Sequence, residues 1–439
     1  MLKDLICGKK LLIMDRTALA ACAVKRAKEL GVKTIVANFY PENVSPSKQI
    51  ADEKVDIDIS DIDAMVRLVK ERNIDGIFVG WTDSHLPFYS AICEKAGLPC
   101  CGTAEQFMTF SNDKREFKKA CSRFGVPTPL EYDLDISFDR EVLDVVSYPV
   151  MVKPADGSGG RGIMKCNDET ELKEHFKKLY EESASKKIVV EQYIDSPNEF
   201  FVHYTVQNGI PSLSAAFMKI KTKDEENRAA SCLFHFFSPY FIKEYRETVE
   251  ERIVQMIKGF GIRFGNIMFQ GFEDNGRFYF HESGLRPGGE QFYVFSEKLN
   301  GISSLDLLIE FALTGKMNSC NVPEKDNYEF SQYCCNYYVP LRPGKIAEIK
   351  GLSEVNKLPE VLQNLQFKFV GDVISKTNSL DRVIFRIHVM APTVERFIDV
   401  LVHISQTLKV LDSDGNEMQL QKLNYENVKD ACEKAWRLA

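Results

Sequence analysis

Tyr148-Pro149-Val150-Met151-Val152-Lys153-Pro154-Ala155-Asp156-Gly157-Ser158-Gly159-Gly160-Arg161-Gly162-Ile163 is the stretch on which the fold turns. Gly157, Gly159 and Gly162 satisfy G-x-G-x-x-G. A dinucleotide-binding or Walker loop needs a helix directly after its glycines, because the amides of that helix's first turn bind phosphate. Here Ile163-Met164-Lys165-Cys166 reads as a strand. The next helix begins only at Asp168, where Asp168 and Glu171 form a D-x-x-E variant of a capping box. The glycines are therefore expected to join two antiparallel strands. Such a hairpin can fold its amides over nucleotide phosphates while Lys153 reaches them from the strand. A solvent hairpin with an incidental lysine would share the same local sequence.

Upstream, the chain opens as a βαβ unit: an apolar run at 10–14, a helical pattern at 17–30 ending in Gly31, then Thr34-Ile35-Val36-Ala37. Helical patterns at 61–72 and 86–96 flank the strand-like Gly76-Ile77-Phe78-Val79-Gly80, so a small parallel sheet is expected. The first strand runs into Met14-Asp15-Arg16-Thr17 where a dinucleotide unit needs its glycines, which excludes a phosphate cradle there. A break near Cys101-Gly102-Thr103 precedes a helical segment from Asp113 to Phe124. Further on, the helical pattern 303–314 closes at Gly315, and Lys316 to Asn327 reads as a polar linker. The last part alternates as a strand over Val383 to Val389 and as a helix from Thr393 to Leu408.

Composition narrows the class. With 439 residues the chain is too long for one ordinary core, and about three domains are expected. Its 56 basic against 63 acidic residues leave a net charge of −7, which offers no attraction to nucleic acid or to an anionic membrane. The 12 cysteines contain no C-x-x-C, so buried thiols in a reducing compartment are expected. Asp15-Arg16 interrupts the apolar N-terminal run before a signal core could form, and no stretch approaches a bilayer span. The expectation is a cytoplasmic protein.

Two later segments complete the pattern. Ile188-Val189-Val190-Glu191-Gln192-Tyr193-Ile194-Asp195-Ser196-Pro197-Asn198-Glu199 comes first, and Gln270-Gly271-Phe272-Glu273-Asp274-Asn275-Gly276-Arg277-Phe278-Tyr279-Phe280-His281-Glu282-Ser283-Gly284-Leu285-Arg286-Pro287-Gly288-Gly289 second. In this order, after a hairpin carrying Val152-Lys153-Pro154, they resemble the ATP-grasp superfamily of carboxylate–amine ligases, whose members include biotin carboxylase, the carbamoyl-phosphate synthetase large subunit and the L-amino-acid ligases. The resemblance implies a fold of α/β and α+β class. It comprises an α/β pre-ATP-grasp domain over 1–103, an ATP-grasp domain with the glycine hairpin and a metal-binding hairpin over 104–316, and a small α+β domain over 317–439.

Carried over residue by residue, the resemblance makes Lys114 and Lys153 the phosphate-binding lysines, with Gly157, Ser158, Gly159 and Gly160 as the loop over the phosphates. Glu191 and the backbone of Ile194 would contact adenine, and Glu199 the ribose hydroxyls. The implied cofactors are ATP and Mg²⁺, with Mn²⁺ as the alternative ion. The ion is expected on Gln270 and Glu282, since ATP chemistry needs one or two hard oxygen ligands beside a largely hydrated ion. Side chains alternate faces along strands. A two-residue Asn275-Gly276 turn would put Gln270 and Glu282 on opposite faces, whereas a three-residue loop would put them on one face, diagonally adjacent. The three-residue loop is therefore expected.

The family's E-x-N-x-R reads Glu282-Ser283-Gly284-Leu285-Arg286, so the asparagine that commonly joins a second ion is missing. Arg286 is the candidate for steadying the transferred phosphoryl group, with a structural salt bridge as its other reading. The chemistry implied is transfer of the γ-phosphoryl group to a small carboxylate, then attack by an amine, with Arg286 and Lys153 as catalytic residues. Bicarbonate activation and nucleotide binding without turnover are the rival readings. His281 is expected to face away from the metal ligand by alternation, and His203 and His235 are pocket candidates. Within Lys219 to Arg228, Lys219 or Arg228 could meet a second carboxylate. A homodimer is left open.

Overall fold

The computed structural model describes residues 2–156, 162–196, 198–222, 231–375 and 380–438. The N-terminal unit is a four-stranded parallel sheet in the order Glu53–Asp56, Lys33–Asn38, Lys10–Ile13, Gly76–Phe78. Its crossovers include the helices Ala18–Glu29 and Ile62–Arg72, capped by the side chains of Thr17 and Asp61. Strand Glu53–Asp56 has no counterpart in the sequence reading, because it is half-buried and Val55 is its single apolar residue. Where the dinucleotide glycines are absent, Asp15 folds inward and accepts from the Thr17 and Trp81 amides at 3.0 and 3.3 Å.

A second, smaller sheet is antiparallel, in the order Glu131–Tyr132, Ile188–Gln192, Val150–Pro154, Met164–Cys166. The strands flanking the glycines thus pair antiparallel, as expected from the missing helix. The helix Glu169–Glu182 packs Leu172, Phe176 and Leu179 onto this sheet. Its start departs from a full capping box: Asp168 accepts from Thr170 and Glu171, but Glu171 reaches back to the Asn167 amide at 2.7 Å.

The third sheet has eight antiparallel strands in the order Arg277–Gly284, Gly265–Asp274, Asn198–Gln207, Ile210–Lys221, Cys232–Phe237, Tyr333–Pro340, Val383–Ala391, Val361–Gln366. The division drawn at 316/317 therefore falls between strands of one continuous sheet. Lys316 to Asn327 is a largely exposed connection pinned at two points rather than a free linker. Met317 and Val322 are fully buried, and Gln207 Nε2 donates to the carbonyls of Met317 and Cys320 at 2.6 Å. The helix Ser304–Thr314 lies against the N-terminal sheet, so close that a Cβ on Gly76 would stand 1.9 Å from the Ala312 carbonyl oxygen.

One face of the large sheet carries Phe200, Val202, Tyr204, Met218, Phe234, Phe236 and Ile387, covered by helices Glu250–Gly259 and Val394–Thr407. Each fully buried side chain of this kind contributes roughly 1.5–3 kcal/mol. Paired residues on adjacent strands share a face. The register Glu199↔Lys219↔His235↔Asn336↔His388↔Gln363 therefore lays a polar row across six strands of the opposite face.

Candidate functional site

The chain leaves the small sheet at Gln192 and enters the large one at Asn198, so Tyr193 to Ser196, including Ile194, form a crossover between the two lobes. Lys153 and Glu191 sit on paired strands of the small sheet, both about 95% buried, with Nζ 2.5 Å from Oε1. Lys118 of helix Lys114–Phe124 adds a second ammonium 2.5 Å from Glu191 Oε2. Burial alone would raise the Glu191 carboxyl, but Lys153 and Lys118 overcome it and hold it at about 2. Burial lowers the Lys153 ammonium, and Glu191 only partly offsets that. The Glu191 carboxylate is thus committed to two lysines, beside the position expected for adenine. The glycine loop itself, Gly157, Ser158, Gly159 and Gly160, lies outside the described residues.

Lys114 stands in the first turn of its helix, whose N-cap is Asp113, and its amide donates to the Ala155 carbonyl at 3.2 Å, at the flank of the glycine loop. Its Nζ lies 3.5 Å from Glu282 Oε1. Asp83, Lys114, Ala155, Asp156 and Glu282 line one cleft, which brings Lys114, the flank of the glycine loop and Glu282 together. Two hydrogen bonds fix the hairpin that carries Glu282 against Met108–Asn112, the helical turn just before that helix: Ser283 Oγ to the Phe110 carbonyl and the Leu285 amide to Ser111 Oγ, each 2.8 Å.

The hairpin corrects one expectation and rescues its consequence. The turn is the two-residue Asn275-Gly276, both at positive φ (49° and 80°), and Asp274 pairs with Arg277. A three-residue loop is absent. A β-bulge at His281 then restores the alignment, since Gly271 pairs with Phe280 and Gln270 pairs with Glu282 directly. The bulge needs Gly271, where a Cβ would stand 2.5 Å from the Tyr279 carbonyl oxygen. It also breaks the alternation used to turn His281 away. His281 stacks on Phe272 at 4.8 Å, and burial, then Lys153, lower its imidazole to about 3.

Glu199, 5% exposed, receives Lys219 at 2.8 Å, Lys221 at 2.9 Å and Gln270 Nε2 at 2.5 Å. Burial would raise its carboxyl, but the two lysines hold it well below the usual carboxylate range. Lys219 is thereby engaged with Glu199, and Arg228 lies outside the described residues.

Gln270 and Glu282 offer one neutral and one charged oxygen donor, and among the described residues no three His, Cys, Asp or Glu side chains converge. A Cβ on Gly284 would meet Met268 Cε at 3.1 Å, so the space of the missing asparagine is filled by Met268. This donor set fits a Mg²⁺ ion that draws most of its oxygens from nucleotide and water.

Arg286 forms a bidentate pair with Asp83, Nε–Oδ1 2.6 Å and Nη2–Oδ2 2.7 Å, and its Nη1 donates to the Pro287 carbonyl. Asp83, from the N-terminal unit 203 residues away, could not be read from sequence. Lys118 could have been, since it lies one helical turn beyond Lys114. His203 meets Glu290 at 3.2 Å, and the His235 Nδ1 meets the Tyr338 hydroxyl at 3.1 Å. Burial lowers both imidazoles.

Residues 113–286 match the family model of the carbamoyl-phosphate synthase L chain ATP-binding domain, and residues 7–108 that of the biotin carboxylase N-terminal domain. The chain belongs to the ATP-grasp superfamily. It is 25% identical over 325 residues to the 2-oxoglutarate carboxylase small subunit of Hydrogenobacter thermophilus, a match covering 69% of this chain and 66% of that one. Among solved structures, the L-amino acid ligase from Bacillus licheniformis superposes with a TM-score of 0.75 at 20% identity, over 93% of this chain and 99% of that one. The biotin carboxylase domain dimer of the Hydrogenobacter thermophilus 2-oxoglutarate carboxylase, in complex with MgADP, ADP and bicarbonate, gives 0.75 at 21% identity, over 94% and 91%. These superpositions establish the ATP-grasp fold. Among the described residues no helix is long and apolar enough to cross a membrane.

Proposed function

We propose that the protein is an ATP-dependent carboxylate–amine ligase, which activates a small carboxylate as an acyl phosphate and joins it to an amine with release of ADP and phosphate. The observation that carries this reading is the convergence of Lys114, Glu282 and the flank of the glycine loop on one cleft beside the Lys153–Glu191–Lys118 cluster. Lys114 and Lys153 bind phosphate oxygens, Glu199 and the Ile194 backbone hold ribose and adenine, and Gln270 with Glu282 hold Mg²⁺. The ion neutralises charge on the phosphates when bound. Arg286, held by Asp83, presents its remaining edge to the phosphoryl group or acyl phosphate. For Lys153 to reach a phosphate it must loosen from Glu191, and Lys118 keeps that carboxylate paired when it does.

Bicarbonate as the activated acid is the second reading, supported by the likeness to the carboxylase subunit. A homodimer fits the dimeric biotin carboxylase domain among the similar structures. The test is Mg·ATP-dependent hydroxamate formation with hydroxylamine as amine, across amino acids, hydroxy acids, dicarboxylates and bicarbonate. A hydroxamate formed with one acid and lost in Lys153→Ala supports the ligase. Phosphate release with bicarbonate and no stable hydroxamate favours the second reading. ATP binding without turnover for any acid refutes both.

A further inference from the structure

Beyond Glu199 the polar sheet face holds a buried cation that no carboxylate among the described residues pairs with. Arg386, in strand Val383–Ala391, is 4% exposed. Its contacts are neutral: Nη2 donates to Gln291 Oε1 at 3.2 Å, and its guanidinium lies 5.9 Å from the Tyr338 ring and 5.5 Å from that of Phe367. Among the described residues its Nε has no hydrogen-bond partner and no carboxylate pairs with it. An uncompensated buried cation is costly, and a bound anion would offset that cost.

The surroundings are built rather than incidental. Gln291 is fully buried at a positive φ of 56°, a conformation that persists only where neighbours impose it. Gln363 Nε2 donates to its Oε1 at 2.8 Å and its own Nε2 donates to the Tyr293 hydroxyl. The Glu290 carbonyl accepts from Asn336 Nδ2 at 2.7 Å and lies 3.0 Å from His388 Nε2. Gly288 lets the Glu290 carboxylate fold back on His203, since a Cβ there would stand 2.1 Å from Glu290 Oε1. Arg286 begins this same loop, so the phosphoryl site and Arg386 are joined through six residues, 286–291.

We propose that Arg386 is a specificity-determining residue that anchors a second, non-reacting carboxylate. That carboxylate belongs either to a dicarboxylate acid substrate or to an amino acid serving as the amine. This rests on the ligase reading above for the reaction, but the anchoring itself is read by binding. Calorimetry on the full chain, saturated with Mg²⁺ and a non-hydrolysable ATP analogue, would compare succinate and glutarate with butyrate, and alanine and glutamate with alaninamide.

A planar fork on a carboxylate contributes about 1.5–3 kcal/mol, so the wild type should prefer the extra carboxylate by about tenfold or more. Arg386→Met should erase the preference while leaving affinity for the nucleotide analogue unchanged. Arg386→Lys should keep part of it. Preference among the acids assigns the anchor to the acid substrate, and preference among the amines to the amino acid. A wild type without either preference, or an Arg386→Met with the preference intact, overturns the proposal. If Arg386→Met does not fold, an undiminished preference in Arg386→Lys overturns it. Absence of hydroxamate with the preference intact would count against the ligase reading and not against the anchor.

Discussion

Replacing Lys153 with Met tests the buried cluster at its centre. Removing one member of a buried ion pair costs about 3–5 kcal/mol when the other is left alone. Here Glu191 retains Lys118 at 2.5 Å, so the expected loss is smaller, about 2 kcal/mol by urea unfolding at pH 7. The Glu191 carboxyl sits at about 2 against an ordinary 4.5, so its contribution is present above pH 4.5 and is lost as pH falls toward 2. That difference is worth about 3 kcal/mol in the wild type and should shrink in Lys153→Met, flattening the acid limb of the stability profile. In a cycle with Glu191→Gln, the double variant should be less destabilised than the sum by at least about 1 kcal/mol. ATP affinity should fall roughly 10–150-fold, the worth of one charge-assisted contact to phosphate. A variant with unchanged acid limb, no coupling to Glu191 and full ATP affinity would refute the reasoning for both the ion pair and the phosphate role.

Other outcomes follow from single contacts. Gly288→Ala forces Glu290 away from His203 and should cost about 2 kcal/mol in thermal unfolding, because the Cβ overlaps a buried carboxylate rather than a mobile tip. Asp83→Ala frees the buried Arg286 guanidinium and should destabilise by about 3 kcal/mol, seen in urea melts. If Arg286 is held for phosphoryl transfer, the same variant should lower kcat more than it raises KM for ATP. Gly284→Asn alone should be destabilised by about 1–2 kcal/mol through its contact with Met268. Combined with Met268→Ala it should bind Mg²⁺ more tightly in calorimetry with the ATP analogue.

The antiparallel glycine hairpin was legible because Ile163 to Cys166 alternates as a strand exactly where a phosphate-binding helix would have to begin. The motif order likewise singled out Lys114, Lys153, Glu191, Glu199, Gln270 and Glu282, whose roles belong to the proposed function. What sequence could not supply was register and distance. The His281 bulge depends on the approach of Gly271 to the Tyr279 backbone, which no periodicity encodes. The Asp83–Arg286 pair joins two units far apart in the chain. The boundary at 316 followed composition, while the sheet runs through it because Cys232–Phe237 pairs with Tyr333–Pro340.

The most direct measurement of the central claim is oxygen transfer: the activated acid, once found by hydroxamate trapping, is supplied with both carboxylate oxygens as ¹⁸O, together with Mg·ATP and the amine. An acyl phosphate requires one labelled oxygen in each phosphate released, which the account predicts and which should vanish with Lys153→Met. Amide formed with unlabelled phosphate would contradict it.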